Sequence, residues 1–259
     1  MNSFINKSAK FNLVFVPGGP GLSSISFNRL EDLKNDFGLY FFDPMGTTTL
    51  LKTDPTYEVL LNELKEAVTN IENVILCGHS AGGIQSIDLA SRGLKNIKGV
   101  IVIGSPVTGY AFEVLNKNFD VELSDEQKDL NHKLDHAPTD QIYKDWFIAF
   151  RDFYFNPKTA HKDIEVIMQD SVCVKSYSMS ISESATKENC LKKLKGMNLL
   201  KLYIAGDLDR VLSPDSAKHE ANLGGFDLTL IKNAGHFAQY ERPAETMDAI
   251  RKFLTNKGE

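Results

Sequence analysis

The chain has 259 residues, enough for one sizeable core, and its 42% hydrophobic and 24% charged side chains exclude disordered, fibrous and coiled-coil classes. A net charge of -5, spread without long blocks of either sign, gives no basic footprint, so nucleic acid is not expected as a partner. Cys77, Cys173 and Cys190 are scattered without C-x-x-C spacing, and no leader-like N-terminus or run of about 18 apolar residues occurs; we expect no disulfide framework, no metal site, no membrane span and a cytoplasmic location.

In chain order, Asn12 to Val16 reads as a buried strand stopped by Pro17-Gly18-Gly19-Pro20-Gly21. Leu39 to Phe42 is a second, ended by Asp43-Pro44-Met45-Gly46. Asn73 to Cys77, Gly99 to Gly104, Leu199 to Ala205 and Phe226 to Ile231 supply four more. Runs apolar on both faces mark a parallel sheet covered by helices, because a sheet with one wet face would alternate. Tyr57 to Ile71, Gly83 to Leu94 and Pro243 to Leu254 carry apolar residues at helical pitch. Strands alternating with helices predict an α/β fold with a doubly wound, mostly parallel sheet of about six strands.

From Pro106 to about Asn198 the alternation stops, with helical patterns and a cluster of aromatic residues from Tyr143 to Phe155. This stretch reads as an inserted helical cap, residues 107–198, on a core made of residues 1–106 and 199–259. Trp146, Phe147 and Phe150 are candidate substrate-binding residues, although an aromatic stripe at helical spacing also suits the cap's own interior.

Gly78-His79-Ser80-Ala81-Gly82 matches G-x-S-x-G between a predicted strand and a predicted helix. A strand that must reverse into a helix within a few residues holds the serine in a strained conformation that only small neighbours permit, and presents its hydroxyl near the positive end of the helix. Ser80 is therefore the candidate nucleophile. A serine hydroxyl needs a base, and the base a carboxylate to orient it. His236 follows the last predicted strand and so falls on the same sheet edge. Asp207 and Asp209 compete in the loop after Ala205; Asp209 is the candidate acid because it sits deeper in that loop. Oxyanion donors are expected from the N-H of Ala81 and from the glycine loop, where Gly18, Gly19 and Gly21 keep their N-H groups and Gly19 is the candidate.

These residues resemble the α/β-hydrolase superfamily: Gly78 to Gly82 its nucleophile elbow, Gly206 to Pro214 its acid loop, and Gly235-His236-Phe237 with Glu241-Arg242-Pro243 its histidine loop and final helix. The resemblance implies a hydrolase working without a cofactor. Gly18 to Gly21 and Asp43 to Gly46 are similar to the proline iminopeptidases, with Pro17 in place of their usual histidine and Ala81 in place of their tryptophan. The first strand begins too near the N-terminus for the N-terminal strand pair common in the superfamily. The leading expectation is a serine esterase acting on a small to medium, partly apolar small-molecule substrate through an acyl-enzyme. The alternatives are an iminopeptidase-like aminopeptidase and, in another class, a ligand receptor that keeps the triad for slow or single turnover. The sequence leaves the oligomeric state open.

Overall fold

Successive residues of a strand point to opposite faces, and in this chain both faces carry apolar side chains. Leu13 and Phe15 pack with Ile75, Cys77, Ile101 and Ile103 on one side of the sheet. Val14 and Val16 pack with Leu76, Val100 and Val102 on the other. Such strands require cover on both sides, and the computed structural model, which describes residues 1–180 and 186–257, supplies it. The strands are β1 (Asn2–Phe4), β2 (Asn12–Val16), β3 (Gly38–Phe41), β4 (Val74–His79), β5 (Ile97–Ile103), β6 (Leu200–Gly206) and β7 (Asp227–Ile231).

A 3-10 helix (Ser24–Asn35) and two α-helices, α1 (Tyr57–Val68) and α2 (Ala81–Ser91), precede β5. The described residues between β5 and β6 form α3 (Gly109–Phe119), α4 (Asp125–His136), α5 (Asp140–Ala149), α6 (Arg151–Tyr154), α7 (Ala160–Asp163), α8 (Glu165–Gln169), α9 (Val174–Ser180) and α10 (Glu188–Lys195). α11 (Pro214–Gly224) joins β6 to β7, and α12 (Ala238–Glu241) and α13 (Pro243–Lys257) follow β7. Local sequence explains the boundaries. Thr56 caps α1 by accepting from the N-H of Val59, and Ser213 caps α11, whose first position is Pro214.

The sheet order is β1-β3-β2-β4-β5-β6-β7, parallel from β3 to β7 with β1 antiparallel to β3. It holds one strand more than the six apolar runs predict. The addition is β1, whose three residues are all exposed and so carry no core signal. The doubly wound, mostly parallel α/β fold is as expected.

The chain leaves β2 toward β3 on one side and reaches β4 on the other, so the order reverses between β2 and β4. In open α/β sheets the crevice at such a reversal, beyond the carboxyl ends of the strands, is where ligands bind. The glycine loop after β2 and Ser80 after β4 both lie there.

Most of the segment between β5 and β6 builds its own interior. Leu130 and Leu134 of α4, Tyr143, Trp146 and Phe147 of α5, and Ile164 and Ile167 pack together and against Leu22, Phe237 and Tyr240 from core loops. α10 instead returns to the sheet, where Leu191 and Leu194 join the cluster of α2 and α11. Residues 181–185 of the span 107–198 and residues 258–259 of the core span lie outside the described residues.

Candidate active site

Ser80 has φ 50° and ψ -121°, a conformation L residues avoid, and sits between the last residue of β4 and the first of α2. Packing holds it there. Its N-H donates to the carbonyl of Ile103 at 2.9 Å, and its own carbonyl accepts from Gly83 at 2.9 Å. A Cβ on Gly82 would strike the carbonyl oxygens of Val16 and Pro17, and one on Gly78 would strike the carbonyl of Gly82. The glycines of the pentapeptide are thus fixed by the close crossing of the turn and β2.

His236 is buried, with its ring Nδ1 3.1 Å and 3.2 Å from the two carboxylate oxygens of Asp209. Asp209 is buried too, and its Oδ1 accepts from the N-H groups of Val211 at 2.8 Å and Leu212 at 2.9 Å. The loop therefore solvates the carboxylate with its own backbone. Asp207 stays outside this pair and accepts from the N-H of Asn233 at 2.7 Å, closing the loop onto the histidine segment.

Two supporting residues escaped sequence reasoning. Gly104, at the end of β5, has φ +60°, and a Cβ there would lie 3.1 Å from His236 Nδ1 and 3.2 Å from Asp209 Oδ2. His79 borders the same cavity as Ser80, and its Nε2 donates to the carbonyl of His236 at 3.0 Å. Burial, with the neighbouring His236 adding to it, holds the His79 imidazole well below its usual range, so it remains neutral. A lone glycine after a strand, and a histidine inside a motif read for its serine, give no separate signal.

Ser80, Ala81, His236 and Gly19 border one cavity of about 270 Å³. Trp146, Phe147, Tyr143, Tyr154 and Tyr177 form one wall of it. Phe112, Leu115, Asn116 and Phe119, one face of α3 at three- and four-residue spacing, also line it, and the Phe119 ring packs against those of Trp146 and Tyr154. Phe150, expected with Trp146 and Phe147, does not border this cavity; its ring stacks 4.7 Å from that of Trp146, in the interior of the segment between β5 and β6. The α3 wall was not anticipated either, because its apolar stripe looks like any helix face.

The glycine loop is gripped from above. Tyr143 donates its hydroxyl to the carbonyl of Pro20 at 3.0 Å, and Cys173 donates its N-H to the carbonyl of Gly21 at 2.8 Å. Just beyond the loop, the buried carboxylate of Asp170 accepts from the N-H of Ser23 at 3.1 Å and from its hydroxyl. Among the described residues, no group of three or more His, Cys, Asp or Glu side chains is placed to hold a metal ion.

Residues 13–249 match the model of the alpha/beta hydrolase family. The chain belongs to that family.

As an alpha/beta hydrolase it is 23% identical over 269 residues to the proline iminopeptidase of Saccharolobus solfataricus, covering 96% of this chain and 86% of that protein. Its fold is shared with a thermophilic esterase from Thermogutta terrifontis (TM-score 0.74, 18% identity, 96% of this chain and 90% of that one). It is shared equally with MenH from S. aureus (TM-score 0.72, 19% identity, 98% and 97%). At such identities the structural likeness speaks for the fold alone. Among the described residues of this alpha/beta hydrolase, no helix is long and apolar enough to cross a membrane.

Proposed function

We propose that the protein is a serine hydrolase that cleaves a carboxylic ester of an uncharged, partly apolar small molecule through an acyl-enzyme on Ser80. The observation that carries this reading is the strained turn holding Ser80 at a cavity also bordered by His236, whose Nδ1 is engaged by buried Asp209.

Asp209 fixes the tautomer in which Nδ1 carries the proton, so Nε2 is free to take the hydroxyl proton of Ser80 as its oxygen attacks the ester carbonyl. The N-H groups of Ala81 and Gly19 are the donors suited to the oxyanion, and such donors are worth roughly 100- to 1000-fold each in rate. His236 then returns the proton to the leaving alcohol. Water repeats the sequence on the acyl-enzyme. The aromatic wall and the α3 face favour an apolar acyl group, with Asn116 and the tyrosine hydroxyls as polar groups among them. Helices α4 to α9, which we take as a cap, close over this pocket.

Short-chain nitrophenyl esters and a fluorophosphonate probe test the reading. Turnover and labelling of Ser80 are expected, and both should vanish in Ser80→Ala; turnover that survives the substitution would refute the assignment. A second reading, an iminopeptidase-like aminopeptidase, is favoured by the Saccharolobus solfataricus relative and by Gly18 to Gly21. Against it, the residues described around the cavity include no Asp or Glu to neutralise a substrate's terminal ammonium, which is costly to desolvate unpaired. Cleavage of prolyl-naphthylamide faster than of the esters would reverse this preference.

A further inference from the structure

The histidine loop is fastened to the segment between β5 and β6 as well as to the acid loop and His79. The N-H of His236 donates to the carbonyl of Tyr154 at 2.7 Å, and the amide of Asn156 donates to the carbonyl of Asn233 at 3.1 Å. Gly235 lies so close to Tyr154 and Phe155 that a Cβ would sit 2.7 Å from the Tyr154 carbonyl oxygen. One side chain joins both partners. Glu241 accepts from the N-H of Gly235 with Oε1 at 2.9 Å and from the N-H of Asn156 with Oε2 at 2.8 Å. Each carboxylate oxygen thus holds a different segment, one carrying the base and one carrying part of the aromatic wall.

We propose that Glu241 is a positioning residue for His236: as a carboxylate it keeps the histidine loop and the inserted segment in one register, and protonating it releases one of the two. The proposal rests on His236 being the base for Ser80. Its chemistry is simple, since both partners are N-H donors and a carboxylic acid must place a hydrogen on one oxygen. That oxygen then faces an N-H with a donor of its own, and one bond is lost.

The surroundings bring this event near neutrality. Desolvation pushes the Glu241 carboxyl up to about 7, the two N-H bonds oppose it, and the like charges of Asp163 in α7 and Asp209 in the acid loop push the same way as burial. Arg242, the next residue, pairs with Glu245 instead.

Glu241→Gln reproduces the protonated geometry at every pH, because its NH2 group must face one of the same N-H donors. The test is kcat for a short-chain nitrophenyl ester between about pH 5 and pH 9 for wild type and Glu241→Gln. Above about pH 8 the variant should be slower by about ten-fold or more with KM nearly unchanged, and the gap should close as pH falls below about 6. A gap independent of pH, as a purely structural defect would give, overturns the proposal, and so does no gap. Should the variant fail to fold, the wild-type profile decides. Loss of activity on acidification must then follow two protons rather than one, and a single-proton limb overturns the assignment. Ser80→Ala is run beside it: ester turnover that persists there removes the serine reading itself, whatever Glu241 does.

Discussion

Asp207 and Asp209 are two residues apart, and their environments separate their roles. Asp209 faces His236 Nδ1 with both oxygens, while Asp207 caps a backbone N-H at Asn233. Under the proposed mechanism Asp209→Asn would present an amide to the imidazole and stabilise the wrong tautomer, so kcat should fall by about three to four orders of magnitude, as for triad acids. Asp207→Asn keeps a carbonyl oxygen for Asn233 and should stay within about three-fold of wild type. Kinetics of the two variants on one ester check this, and the opposite ranking would reassign the acid. At this scale the sequence could single out Ser80, Asp209 and His236 as candidates, because each stands at a fixed offset from a strand end. Gly104 and His79 were not, since their duties depend on what lies across space. The Gly104 position is special only because His236 and Asp209 occupy the volume where its Cβ would be.

Between elements, buried carboxylates do the fastening. Glu220 of α11 accepts from the N-H groups of Val107 and Thr108, each at 2.7 Å, and from the Tyr203 hydroxyl at 2.6 Å, anchoring the chain where it leaves β5 for α3. Asp170 does the same between α8 and α9, holding Ser23 beyond the glycine loop. Desolvation pushes the Asp170 carboxyl from its ordinary value near 3.8 up to about 7, against the bonds from Ser23. The sign follows from linkage. Between these values the folded state holds a proton that the unfolded state has released, so this group's contribution to stability falls as pH rises from about 4 to about 7. Asp170→Asn removes the titration and keeps a carbonyl acceptor. Its melting temperature relative to wild type should therefore climb by several degrees across that interval, as thermal unfolding at a series of pH values would register. A difference that stays flat with pH would mean that Asp170 does not titrate there. The clamps at Asp170 and Glu220 could not be read from sequence, because both look like the other charged residues of polar stretches, and the motif containing Glu241 does not tell what its carboxylate holds. Strands β2 to β7 and helices α1, α2 and α13 were legible to within a few residues, since hydrophobic period records the face each buries.

In the whole molecule, the site exists because the chain winds outward from β2 on both sides, leaving the ends of β2 and β4 adjacent and uncovered by a crossover. That logic separates what the reaction needs from what the sheet needs at its margin. β1 contributes nothing to the crevice. Its three residues pair with Leu39, Tyr40 and Phe41 of β3, and the ring of Phe4 meets that of Phe41 edge-on at 6.1 Å. Without it β3 would be the margin, an apolar strand with a free row of backbone donors and acceptors, which is the arrangement that recruits another chain. Removal of residues 1–8 should accordingly leave kcat/KM per active site within about two-fold of the full chain while making the protein self-associate as its concentration rises. Light scattering on the truncated and full chains, paired with active-site titration by the fluorophosphonate, separates these effects. A truncated chain that stays monodisperse but loses activity would place the role of β1 in the geometry of the crevice, through β3 and the glycine loop, rather than in guarding the edge of the sheet.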